Sequence, residues 1–83
     1  MKIDARVKFV IDDEVLNIHV GDKITVPVDE DYVSDFDDVI QTVEEKLYED
    51  YGHSLHYSPD GDVHGDFVIE NSQEICDQLF DKV

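Results

Sequence analysis

The sequence predicts an α+β fold: an antiparallel sheet of about five strands in the order βββαββα, with two helices packed on one face. Three observations carry this. Residues 2–11 alternate apolar and polar, the period of a strand with one buried face. Residues 33–51 instead repeat apolar positions three and four apart, the period of an amphipathic helix. Further on, Ser58-Pro59-Asp60-Gly61 stands between two short apolar runs, with Pro and Gly placed as a tight turn requires.

Each element follows in order. Ile3, Ala5, Val7, Phe9 and Ile11 form the inner face of a first strand, and Lys2, Asp4, Arg6 and Lys8 its outer face. Asp12-Asp13-Glu14 makes a turn. Leu16, Ile18 and Val20 alternate with Val15, Asn17 and His19 and predict a second strand. Gly21-Asp22 turns the chain into a third strand, with Ile24, Val26 and Val28 inward. Pro27 donates no ladder hydrogen bond, which places this strand at an edge or ends it early. A helix over 34–51 follows, with Ser34 as N-cap, Asp37 completing a capping box and Gly52 ending it. Its buried stripe is Val33, Phe36, Val39, Ile40, Val43, Leu47 and Tyr51. A second hairpin pairs 54–57 with 63–69. If Ser58 opposes Asp62, then Tyr57 faces Val63, His56 faces His64, and Leu55 faces Gly65. The last helix spans 72–83, capped by Asn71 or Ser72, with Ile75, Cys76, Leu79, Phe80 and Val83 inward.

Eighty-three residues make one domain whose core is too small for a large active-site cleft. A hydrophobic fraction of 41% is enough to fold despite 22 acids, six Lys and Arg, and a net charge of −16. Such a chain is repelled by nucleic acid and anionic membranes and drawn to basic proteins. A single cysteine allows no internal disulfide and suits a reducing compartment. With no run long enough to span a bilayer, the expected location is the cytoplasm, that of the host cell if the gene is carried by a phage.

The charge concentrates between Asp29 and Asp50, which hold ten acids against one base, Lys46. At ~100° per residue, Asp38, Glu45 and Glu49 point away from the apolar stripe, Asp37 and Glu44 form a flanking row, and Asp35 and Asp50 edge the other side. The seven acids from Asp35 to Asp50 span roughly 24 Å, one charge per ~3.4 Å of helix axis, close to the phosphate spacing along one DNA strand. Tyr48 lies among them, off the stripe, where an aromatic ring is useful at an interface. Glu49 and Asp50 oppose the helix dipole, a placement that costs stability. The candidate partner-binding residues are therefore Asp35, Asp37, Asp38, Glu44, Glu45, Tyr48, Glu49 and Asp50.

Chemistry has thinner support. His56 and His64, as cross-strand neighbours near His53 and Asp66, would need a third ligand and good geometry to hold a transition metal, and two surface histidines are the simpler reading. Residues 60–65 begin like a calcium loop, with Gly65 at the sixth position, but Asn71 stands where the bidentate Glu belongs and Pro59 breaks any entering helix. No phosphate-cradling Gly-rich loop occurs, no Ser-His-Asp context, and Cys76 falls on a buried stripe. The expectation is a protein without catalytic residues, metal or cofactor.

In size, charge and the acidic helix DYVSDFDDVIQTVEEKLYED, the chain resembles the small acidic nucleic-acid mimics of phages and mobile elements, anti-CRISPR proteins among them. The resemblance implies an inhibitor that occupies the basic groove of a nucleic-acid-binding protein, a CRISPR effector nuclease or other DNA-binding enzyme, with carboxylates standing in for phosphates. It would act as a monomer or small homo-oligomer and bind no nucleic acid itself. The alternative is an acidic interaction module of a phage or bacterial assembly unrelated to DNA. The basic outer face of the first strand departs from a uniformly acidic mimic.

Overall fold

The structure, a computed structural model, describes residues 2–60 and 64–80. Two long strands come first: β1 (Lys2–Phe9) and β2 (Lys23–Asp29). A 3-10 turn over Glu30–Tyr32 leads into helix α1 (Phe36–Tyr51), and the chain closes with β3 (Phe67–Ile69) and helix α2 (Ser72–Leu79).

The apolar alternation of β1 makes it the centre of an antiparallel sheet ordered β2-β1-β3. Seven pairs, from Lys2 opposite Asp29 to Lys8 opposite Lys23, join it to β2, and three, from Val7 opposite Ile69 to Phe9 opposite Phe67, join it to β3. Ile3, Ala5, Val7 and Phe9 all point to one face and are buried there with Val26, Val28, Phe67 and Ile69. α1 covers β2 with Val39, Val43 and Leu47, and α2 covers β1 with Ile75 and Leu79. Both helices therefore lie on the same face, as the sequence predicts. The other face stays open to solvent, with Lys2, Asp4, Arg6, Lys23, Thr25 and Pro27 exposed. Pro27 sits on an edge strand, where its missing N–H leaves no ladder partner short.

Where β3 ends, a side chain takes over the ladder. The Glu70 N–H donates to the Arg6 carbonyl at 2.8 Å, and Asn71 then bridges the next two β1 groups. Its Oδ1 accepts the Arg6 N–H at 2.7 Å and its Nδ2 donates to the Asp4 carbonyl at 2.8 Å. The amide thus mimics one further strand residue and fixes the start of α2 against β1. Asn71 does occupy the N-cap position of α2, but its side chain makes no capping bond.

Four expectations need correction. The sheet has three strands, not five, although the α+β class and the one-faced helix layer hold. The expected second strand is a compact turn. Only Asp13 and Ile18 bridge there, the Asp13 carboxylate takes the N–H groups of Val15 and Leu16 at 3.0 and 3.2 Å, and Asn17 adopts φ 57°. A side chain that captures main-chain donors diverts the backbone from a ladder. The expected second hairpin is also absent among the described residues. Tyr57 instead bridges Phe67 in parallel, and the carbonyl of His56 receives the N–H of Asp66, so His56 faces Asp66 rather than His64. Gly65 packs so closely on buried Ser58 that a Cβ there would lie 2.6 Å from it. The proposed pairs of residues 61–63 and the tail of the last helix, 81–83, fall outside the described residues. Finally, Asp35, not Ser34, caps α1.

Candidate functional site

α1 holds the eight candidate residues in one rigid frame. At its start the Asp35 carboxylate accepts the Asp38 N–H at 3.0 Å, and the Asp38 carboxylate reaches back to the Ser34 N–H at 2.9 Å. This is capping-box logic carried by two aspartates, one residue later than the sequence suggests. At the far end Gly52 takes φ 74°, a left-handed conformation costly for any side chain, and its N–H closes the helix on the Tyr48 carbonyl at 2.8 Å.

The frame sorts the acids. Asp35 and Asp38 each commit an oxygen to the helix start. Glu44 is half-buried, with one oxygen accepting the Tyr57 N–H at 3.2 Å and lying 4.0 Å from His56 Nδ1. That bond ties the segment after the helix back onto it. Asp37, Glu45, Glu49 and Asp50 are exposed. Lys46 approaches Glu49 at 3.8 Å, and the Gln41 amide approaches Glu45 at 3.5 Å, while Asp37 and Asp50 have no side-chain hydrogen bond or ion pair within the described residues. Glu45 and Glu49 are like charges one turn apart, an arrangement that destabilises a helix by a few tenths of a kcal/mol. No base stands in the last turn to offset Glu49 and Asp50 against the dipole.

Two grooves flank this ridge and share Glu45. One, of about 400 Å³, runs between α1 and the segment after it, lined by Glu44, Glu45, Tyr48, Glu49, Ser54, Leu55 and His56. Tyr48 is 55% exposed and forms an aromatic wall among the carboxylates, as its position off the stripe predicts. The other, of about 550 Å³, lies toward β2 and is lined by Lys2, Pro27, Asp29, Tyr32, Asp38, Gln41, Thr42 and Glu45. Leu55 and His56 are neighbours of the acid row that periodicity within the helix could not reveal. Tyr32, 83% exposed, is a second uncovered ring beside it.

The opposite side of the molecule has the opposite character. Lys2, Arg6, Lys8 and Lys23, four of the six bases, share the open sheet face. Arg6 reaches Glu74 at 3.4 Å and Lys23 reaches Glu70 at 3.3 Å, so part of this charge is neutralised across the sheet. Among the described residues the other candidate centres do not assemble, and residues 61–63 of the calcium-like loop lie outside them. Among the described residues no three His, Cys, Asp or Glu side chains are gathered as a metal would require. Cys76 is half-buried on α2. Burial, then the charges of Asp50 and Asp22, raises the Tyr51 phenol above its ordinary value, and burial, then Cys76, raises that of Tyr57. Among the described residues no helix is long and apolar enough to cross a membrane. No protein-family model, no curated protein and no solved structure matches the chain.

Proposed function

We propose that the chain is a non-enzymatic inhibitor that blocks a nucleic-acid-binding protein, α1 lying in the basic groove where the nucleic acid would sit. One observation carries the reading: an exposed acid row on a firmly capped helix, with Lys46, 3.8 Å from Glu49, the one Lys or Arg paired to it among the described residues and no base in the last turn. A solvated face does not need this density of like charge, which costs stability. A basic groove offsets that cost on binding, since each carboxylate then meets a Lys or Arg. Asp37, Glu45, Glu49 and Asp50 are the phosphate stand-ins, with Tyr48 the ring that packs beside them. The other three acids of the row, Asp35, Asp38 and Glu44, shape the helix and add field.

The open sheet face favours a second reading. Its bases give the molecule two poles of opposite charge, which suits a module placed between an acidic and a basic neighbour in an assembly. One experiment separates them. Immobilised wild-type chain should retain from a lysate of its source cell a DNA- or RNA-binding protein that elutes as salt rises. Glu45→Lys/Glu49→Lys should retain none of it. Both substitutions lie on the exposed face near the helix C-terminus, where Lys suits the dipole, so the fold survives. Retention unaffected by the double reversal would contradict the role given to α1.

A further inference from the structure

We propose that the loop joining β1 to β2, residues 10–22, is a second contact on the same basic partner, seating Val15 and Val20 in an apolar recess at the end of the groove that α1 enters. The proposal rests on the reading of α1 above.

Hydrogen bonds brace the loop. Asp13 and Ile18 exchange main-chain hydrogen bonds at 2.8 and 3.0 Å, and Ile18 is anchored in the core, 1% exposed. Besides the Asp13 carboxylate on Val15 and Leu16, the Asp12 carboxylate accepts the Val20 N–H at 2.8 Å and Asp22 accepts the His19 N–H at 2.9 Å. A loop so braced orients its side chains before any partner arrives, which lowers the entropy lost on binding. Among exposed Asp12, Glu14, Asn17, His19 and Asp22 it displays two apolar side chains: Val15 is 86% exposed and Val20 59%, on either side of the buried Ile18.

Charge and continuity name the occupant. Between Phe9 and Lys23 the chain has four acids, Asp12, Asp13, Glu14 and Asp22, and neither Lys nor Arg. A recess that covers the two valines must therefore carry a basic rim; an acidic or anionic-lipid surface would be repelled. The loop also begins where α1 ends. Tyr51, the last residue of α1, packs edge-on against Phe9 with ring centroids 5.9 Å apart, and the Asp22 carbonyl accepts the Phe9 N–H at 3.0 Å. The acid row thus passes from Glu49 and Asp50 onto Asp22, and a partner lying along the helix reaches the loop next.

The test places a photo-reactive residue at each contact, Val15→p-benzoylphenylalanine in one variant and Glu45→p-benzoylphenylalanine in another, both irradiated in the same lysate of the source cell. One nucleic-acid-binding protein should become joined to both. If position 45 captures such a protein while position 15 captures nothing or a different one, the loop contact is wrong and the α1 reading stands. If position 45 captures nothing, or a protein that binds no nucleic acid, both fall. With the captured protein purified, Val15→Ser/Val20→Ser should speed dissociation about 10-fold and leave the association rate and its salt dependence alone. Glu45→Lys/Glu49→Lys should mainly slow association. Both valines are exposed, so the melting temperature should hold, and an unchanged dissociation rate would overturn the proposal.

Discussion

The carboxylates of this protein divide into two populations. Those in the turns are tied to the backbone: Asp12, Asp13, Asp22, Asp29 and Asp35 each accept main-chain N–H groups. Those along the outer face of α1, Asp37, Glu45, Glu49 and Asp50, accept none within the described residues. The first group explains itself. An aspartate that captures an orphan N–H stabilises a turn or helix start, and acidic turns are the result. Within the second group only Asp37, in the first turn, suits the helix dipole; Glu45 and Glu49 repel each other, and Glu49 and Asp50 oppose the dipole at the far end. A net charge of −16 is thus partly architecture and partly something the architecture does not require. That remainder is the reason to look for a partner.

Substitutions along α1 should separate its faces by size and by sign. Leu47→Ala, on the buried face at 0% exposure, should cost about 2–5 kcal/mol by opening a cavity beneath the sheet, read by denaturant unfolding. A loss below ~0.5 kcal/mol would mean that the stripe is not core. Asp35→Ala should cost about 1 kcal/mol because the Asp38 N–H loses its acceptor. Glu45→Gln should reverse the sign and gain a few tenths of a kcal/mol by relieving Glu49. Equal losses for Asp35→Ala and Glu45→Gln would erase the distinction between the two populations.

Salt acts on the second population collectively. Raising ionic strength from low to physiological should increase the melting temperature, since screening relieves repulsion that hydrogen bonds do not hold in place. A flat or falling melting temperature would show that the row is already neutralised.

The smallest expected effect is alkaline. The raised Tyr51 phenol keeps its proton in the fold at a pH where the unfolded chain has lost it. Its contribution is complete below about pH 10 and disappears as pH climbs through the folded value. Tyr51→Phe should therefore flatten the decline in stability above about pH 10, leaving neutral stability nearly unchanged. An identical alkaline limb in the variant would assign the decline to other groups.

How much of this was legible in the sequence follows from range. The period-two run of residues 2–9 and the three-four spacing of 36–51 are local signals, and both elements form with the expected faces inward. The alternation of Leu16, Ile18 and Val20 is an equally local signal and misleads, because the Asp13 carboxylate competes for the same N–H groups that a ladder needs. Strand partners are nonlocal. Nothing in residues 67–69 says that they pair with 7–9 rather than with 54–57, and the Pro-Asp-Gly turn makes the wrong partner attractive. The acid row was legible as a face. Its division was not, since that depends on where Tyr57 and Ser34 present their N–H groups. The alternation places Val20 inward with Leu16 and Ile18, and only the turn geometry exposes it.

Mimicry makes one demand that no other role of the row makes: the partner cannot hold DNA and this protein together. The most direct measurement is competition on the purified partner between a labelled DNA duplex and the chain, with Glu45→Lys/Glu49→Lys as control. The wild-type chain should displace the duplex completely, its apparent affinity falling as duplex concentration rises, and the double reversal should displace little. A ternary complex of partner, duplex and wild-type chain would contradict mimicry and leave the acidic face of α1 to another role.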